Sequence, residues 1–183
     1  MRPARIGSAW ALALVFVAMT ARTPPAVAEA VQAPKAAGVC VARPKAARLN
    51  FTLKDLDGRN IAFSDFKGKV IVLDFWATWC GPCKVEIPGF VQLQARYGGS
   101  GLQMLGVSVD DSLEMLKPYA AAMKMNYPVL QGRGRDEVLD AYTPVGAVPT
   151  SVVIGRDGTI CRTHVGMTPL DEFEKEIKAL LAL

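Results

Sequence analysis

Apolar and polar residues alternate through Phe51-Thr52-Leu53-Lys54, pause at Asp57-Gly58 and resume at Ile61-Ala62-Phe63. Alternation of period two on either side of an Asp-Gly turn predicts a β-hairpin. Residues 70–76 break that rhythm, because every position except Asp74 is apolar. That is the pattern of a strand buried on both faces. A helix is predicted from Cys80 to about Tyr97, bent at Pro88 and ended by Gly98-Gly99. Residues 102–109 read as a second buried strand, and Asp110 or Asp111 stands where it can cap a helix reaching Met123. Beyond these, 127–130 reads as a short strand and 136–142 as a short helix. Residues 150–154 and 159–165 flank the turn Arg156-Asp157-Gly158. Thr168 is expected to cap a last amphipathic helix with Leu170, Phe173, Ile177 and Leu180 or Leu181 on one face.

The predicted order is therefore a β-hairpin, then β-α-β-α-β, a short helix, β-β and α. Strands that alternate with helices place the chain in the α/β class. The expected architecture is a central mixed sheet, largely parallel at its centre, with helices on both faces and an antiparallel terminal hairpin, plus the N-terminal β-hairpin. This pattern occupies residues 49–183. Residues 29–48 are rich in Ala, Pro, Lys and Gly without periodicity and read as a flexible arm or linker.

Residues 1–28 read as a signal peptide. Arg2 and Arg5 give a positive start, 9–19 form an unbroken apolar run, Pro24-Pro25 break it, and Ala26-Val27-Ala28 offers a cleavage site. The alternative is an uncleaved membrane anchor, although eleven residues at a rise of about 1.5 Å cover only about half of a ~30 Å hydrocarbon core. Cleavage near Ala28 would leave a soluble periplasmic protein, and retention would leave an N-terminally anchored one. The net charge of +4 shrinks on this reading. Of 21 Lys and Arg, three (Arg2, Arg5 and Arg22) fall in that segment, leaving 18 against 17 Asp and Glu. So even a balance gives no electrostatic footprint for nucleic acid or anionic lipid.

Trp79-Cys80-Gly81-Pro82-Cys83 follows the buried strand and opens a helix. Cysteines at this spacing can close a small disulfide. At a helix N-terminus the unpaired backbone N–H groups stabilise the thiolate of the first. Cys80 is expected to be the exposed attacking thiol and Cys83, one turn inside, the resolving one. Pro82 suits the first turn, where a missing N–H is harmless. Zinc is the competing use of such a pair, but structural zinc takes a second pair of ligands. Here Cys40 and Cys161 stand apart and His164 is the only histidine. An inert disulfide is the other alternative, and it would have no need of a strand-to-helix junction.

The run Leu73-Asp74-Phe75-Trp76-Ala77-Thr78-Trp79-Cys80-Gly81-Pro82-Cys83-Lys84 resembles the active-site segment of thioredoxins. With Asp65-Phe66-Lys67-Gly68-Lys69, Glu86-Ile87-Pro88, Val148-Pro149-Thr150 and Ile154-Gly155-Arg156-Asp157-Gly158, the chain resembles the TlpA/ResA-like periplasmic branch of the thioredoxin superfamily. The resemblance implies a thioredoxin fold with a cis bond before Pro149. It also implies a substrate-binding rim of Trp79, Gly81, Pro82, Val148 and Pro149. It gives Asp74, six residues before Cys80, the place of the buried aspartate that exchanges protons with the second cysteine. A buried carboxyl without a partner should indeed titrate high; an Asp held by a local hydrogen bond or partly wetted is the alternative. Many members of that branch carry a neutral residue here. Glu86 resembles the glutamate that tunes the cysteines, against the alternative of an ordinary exposed helix residue.

Cys40 and Cys161 bring the cysteine total to four. An even number in an exported chain raises the expectation of a structural disulfide between them, with two independent thiols as the alternative. The expected function is reduction of disulfides in client proteins by Cys80 attack and Cys83 resolution. No cofactor beyond the Cys80–Cys83 disulfide and no metal are expected. The resemblance implies clients in cytochrome c maturation or in assembly of cytochrome oxidase copper sites, such as apocytochrome c or a copper-site assembly protein. A membrane electron donor for re-reduction and a monomeric state are also expected. A copper-binding metallochaperone using Cys80, Cys83 and His164 is the alternative from a different class, since two thiolates suit Cu(I).

Overall fold

The computed structural model describes residues 38–109, 111–142 and 146–182. The signal segment, the arm before Gly38 and the candidate cap Asp110 lie outside the described residues.

Six strands form one sheet in the order β1-β8-β7-β4-β5-β6, and β2 and β3 form a separate pair. The strands are β1 (Lys45–Ala46), β2 (Thr52–Lys54), β3 (Asn60–Ala62), β4 (Val70–Trp76), β5 (Leu102–Ser108), β6 (Val129–Gln131), β7 (Thr150–Ile154) and β8 (Thr159–Val165). The helices are α1 (Gly81–Tyr97), α2 (Leu113–Ala122), α3 (Asp136–Tyr142) and α4 (Leu170–Leu181). The central pairs β4–β5 and β5–β6 are parallel, and β7 lies antiparallel to β4. β4 is buried along its whole length, which is why its sequence carries no alternation.

The two faces of β4 enter different cores. Ile71, Leu73 and Phe75 pack under Phe51, Leu53 and Phe63 of the hairpin and under Val138 and Tyr142 of α3. Val70 and Val72 meet Phe90 and Leu93 of α1 and Phe173 and Ile177 of α4. Trp76, at the end of the strand, joins Cys80, Cys83, Ile87 and Leu116. Asp74 shares the face of Val72 and Trp76, so the one polar residue of the strand lies between the two helical cores.

Three details depart from the sequence expectations. β6 begins at Val129, not Tyr127, with the Pro128 carbonyl accepting from Gly106 N–H at 3.0 Å. Ser112 is the N-cap of α2, because the Asp111 carboxylate turns back to other donors. Pro169, not Thr168, is the N-cap of α4, and the Thr168 N–H donates to Glu86 Oε1 at 2.8 Å. Residues 38–48 run along the sheet edge. β1 pairs with β8, Val41 N–H donates to the Cys161 carbonyl at 3.1 Å, and Cys40 is disulfide-bonded to Cys161.

Phe173 joins α4 to the sheet, with its ring edge-on to Phe90 at 5.1 Å. Phe173→Ala should lower the unfolding free energy of the oxidised protein by about 3–5 kcal/mol in chemical denaturation. A loss within the roughly 0.5 kcal/mol typical of surface changes would contradict this packing.

Candidate active site

β4 delivers the chain to the site. After Trp76 the backbone makes one turn, closed by Cys80 N–H donating to the Ala77 carbonyl at 3.1 Å, and α1 begins at Gly81. Cys80 is thus the N-cap, in extended backbone, and its Sγ accepts a hydrogen bond from Cys83 N–H at 3.2 Å. A helix start leaves its first N–H groups without partners. Here one of them is satisfied by the Cys80 sulfur. Cys80 and Cys83 are joined as a disulfide.

Both cysteines are buried: Cys80 is 3% and Cys83 2% exposed. The expectation of an exposed Cys80 is therefore corrected for the disulfide form. Cys80 belongs to an apolar cluster against which Val148, from a loop more than sixty residues away, also packs. What stands exposed beside the disulfide is Trp79, at 62%, with Val85 on the first turns of α1. A Cβ built on Gly81 would meet nothing within 4 Å, so its bare backbone borders open space. The Val148–Pro149 peptide is cis, and the Pro149 carbonyl accepts from Gly166 N–H at 2.8 Å.

Asp74 is buried, with Ser151 Oγ donating to its Oδ1 at a long 3.4 Å. Its Oδ2 has no hydrogen-bond partner among the described residues. Burial, reinforced by the Glu86 charge, pushes its carboxyl well above the ordinary value, and the Ser151 hydrogen bond opposes only in part. Glu86 is also buried rather than exposed. Burial raises its pKa, while the Thr168 N–H bond and the nearby His164 pull the other way. Glu86 Oε2, Trp76 Nε1 and the hydroxyls of Tyr119 and Tyr127 are likewise buried without a partner among the described residues. Such groups are rare and cluster where function outweighs stability.

His164 does not assemble a copper site with the cysteines. Its Nε2 lies 2.9 Å from Glu176 Oε2 and its ring packs on Phe173. Among the described residues the close group of ligating side chains is His164, Glu172 and Glu176, which contains neither thiol. The sequence reading missed Asp111 as a site residue. Its buried carboxylate accepts from Thr78 N–H, the Thr78 hydroxyl and the Ser108 hydroxyl. The sequence showed an acidic residue just past a buried strand, a signal it shares with an ordinary helix cap.

Sheet order and closed dithiol define the class, a thioredoxin-fold thiol–disulfide oxidoreductase. The chain belongs to the AhpC/TSA family, whose sequence profile matches residues 45–163. It is 31% identical over 131 residues to the thiol-disulfide oxidoreductase ResA of Geobacillus kaustophilus (strain HTA426), covering 72% of this chain and 74% of that one. To the protein of the same name from Bacillus subtilis (strain 168) it is 35% identical over 117 residues, 64% of each chain. The crystal structure of a thioredoxin-family thiol:disulfide interchange protein from Chlorobium tepidum TLS superposes with a TM-score of 0.69 at 31% identity. That match covers 78% of this chain and 99% of the other.

The raised Asp74 carboxyl has a consequence for stability. The folded protein holds this proton more tightly than the unfolded chain, whose value is near 3.8. Its contribution is complete below that pH and is lost as pH rises through the folded value. Asp74→Asn, unable to ionise, should therefore gain stability relative to the parent as pH rises from acid to neutral. A stability difference that stays constant over that range would contradict the assignment.

Proposed function

We propose that this protein is an exported reductant of disulfides in client proteins. The observation that carries the reading is Cys80 Sγ held at the N-cap of α1 on the N–H of Cys83, beside an exposed Trp79. In the reduced protein the Cys80 thiolate attacks one sulfur of the client disulfide. That bond breaks, a client thiolate leaves, and a Cys80–client mixed disulfide forms. The Cys83 thiolate then attacks Cys80 Sγ, the second client sulfur leaves as a thiol, and the Cys80–Cys83 disulfide closes. Two electrons pass to the client. Asp74, buried and titrating high, takes the proton that Cys83 must lose. Glu86, three residues from Cys83 on the same helix face, adjusts how readily that thiol ionises.

Trp79, the bare backbone at Gly81, Pro82 and the Val148–Pro149 segment form the rim where the client chain lies. The Cys40–Cys161 disulfide is structural and holds residues 38–48 on β8. Residues 1–28 direct export to the periplasm, and no helix among the described residues is long and apolar enough to cross a membrane. An oxidising compartment requires a membrane electron donor to restore the dithiol. Likeness to proteins named thiol-disulfide oxidoreductase ResA supports the exchange chemistry; the proposed clients belong to cytochrome c or cytochrome oxidase copper-site biogenesis, and the protein acts as a monomer.

In an insulin-disulfide reduction assay Cys80→Ser should abolish activity. Cys83→Ala should accumulate a mixed disulfide with the client that reductant releases. Retained activity in Cys80→Ser overturns the reading.

A further inference from the structure

Thr78 lies between the buried end of β4 and Cys80, and it is held from outside its own loop. Asp111 Oδ1 accepts the Thr78 hydroxyl at 2.7 Å, and Oδ2 accepts Thr78 N–H at 2.9 Å and the Ser108 hydroxyl at 2.7 Å. Asp111 is only 3% exposed. A carboxylate removed from water is tolerated only where donors replace its hydration, and here three donors meet it. Two of them belong to Thr78.

The sheet register brings these groups together. β4 and β5 are parallel with Trp76 opposite Ser108, and Val109 N–H donates to the Trp76 carbonyl at 3.0 Å. The segments leaving the two strands therefore start side by side. The turn from Ala77 to Cys80 is fixed at its middle by Asp111 and at its far end by α1.

We propose that Asp111 is a positioning residue for thiol–disulfide exchange, holding Thr78 at backbone and hydroxyl so that the turn sets Cys80 Sγ on the first-turn N–H of α1. The proposal rests on Cys80 being the attacking thiol. An N–H stabilises a thiolate only while the sulfur stays in line with it. Freeing the turn weakens that contact, so Cys80 ionises at higher pH. The charge of Asp111 acts in the opposite sense, since removing a nearby carboxylate by itself favours the thiolate. The direction of the change thus separates positioning from simple electrostatics. A purely structural role would lower the unfolding temperature and leave the ionisation of Cys80 in the folded protein unchanged.

The test is the rate of iodoacetamide alkylation of the reduced full-length protein across a pH series, assigned to each cysteine by peptide mass spectrometry. In Asp111→Ala the midpoint for Cys80 should rise by about one pH unit, roughly a tenfold smaller thiolate fraction below the midpoint. Thr78→Val, which keeps the N–H and loses the hydroxyl, should move it the same way by less, and Thr78→Ser should restore the parent value. An unchanged or lowered midpoint in Asp111→Ala overturns the proposal. Should that variant not fold, identical midpoints in Thr78→Val and Thr78→Ser overturn it equally. If Cys83 of the parent protein reacts faster than Cys80, the assignment of the attacking thiol fails and the proposal fails with it, a result distinct from an unmoved Cys80.

Discussion

The first-turn N–H groups of α1 have no carbonyl partners inside their own helix, and one of them is directed at Cys80 Sγ at 3.2 Å. That contact exists only because the helix start is fixed relative to β4. The strand is covered on both faces by separate cores, so its end at Trp76 cannot shift without disturbing both. Four residues then separate a rigid strand from a rigid helix, and Cys80 is the last of them. The Cys80 sulfur thus takes its position from the most buried part of the fold, while the exposed Trp79 marks where solvent begins.

Around this contact the protein tolerates polar groups that stability alone would remove. Asp74 and Glu86 are both buried, each with one carboxyl oxygen unpartnered among the described residues, and the Glu86 charge adds to the burial that raises the Asp74 carboxyl. In the proposed function these two carboxyls act on the ionisation of Cys83, and a neighbouring negative charge works against a thiolate. A dithiol whose thiolates gain little stabilisation is a stronger reductant, because stabilising the reduced form is what makes a site oxidising. The helix N-terminus acts on Cys80 in the opposite sense. The direction of electron flow in the proposed function depends on this balance.

Much of the fold was legible because periodicity reports burial directly. The helix over Asp136–Tyr142 and the strands Thr150–Ile154 and Thr159–Val165 match their expected limits, and the apolar run at 70–76 is the doubly buried β4. What failed depends on partners distant in sequence. Asp111 and Thr168 both carry the local signature of a helix cap. In the structure the Asp111 carboxylate is taken by Thr78 and Ser108, contacts that tertiary packing alone creates, and α4 begins one residue later, with Pro169 as its N-cap. Cys80 was expected exposed as the attacking thiol at a helix start, and in the structure it is buried in a cluster against which Val148 of another loop also packs. His164 offered a third copper ligand by elimination, and Glu176 on α4 had already engaged it.

The equilibrium reduction potential of Cys80–Cys83, measured against glutathione with thiol trapping read by mass spectrometry, tests the account most directly. A reductant that depends on a dedicated electron supply should give a value near or below the ~−220 mV of glutaredoxins. A value close to the ~−120 mV of a strong oxidant would contradict it and make disulfide donation the function of this site.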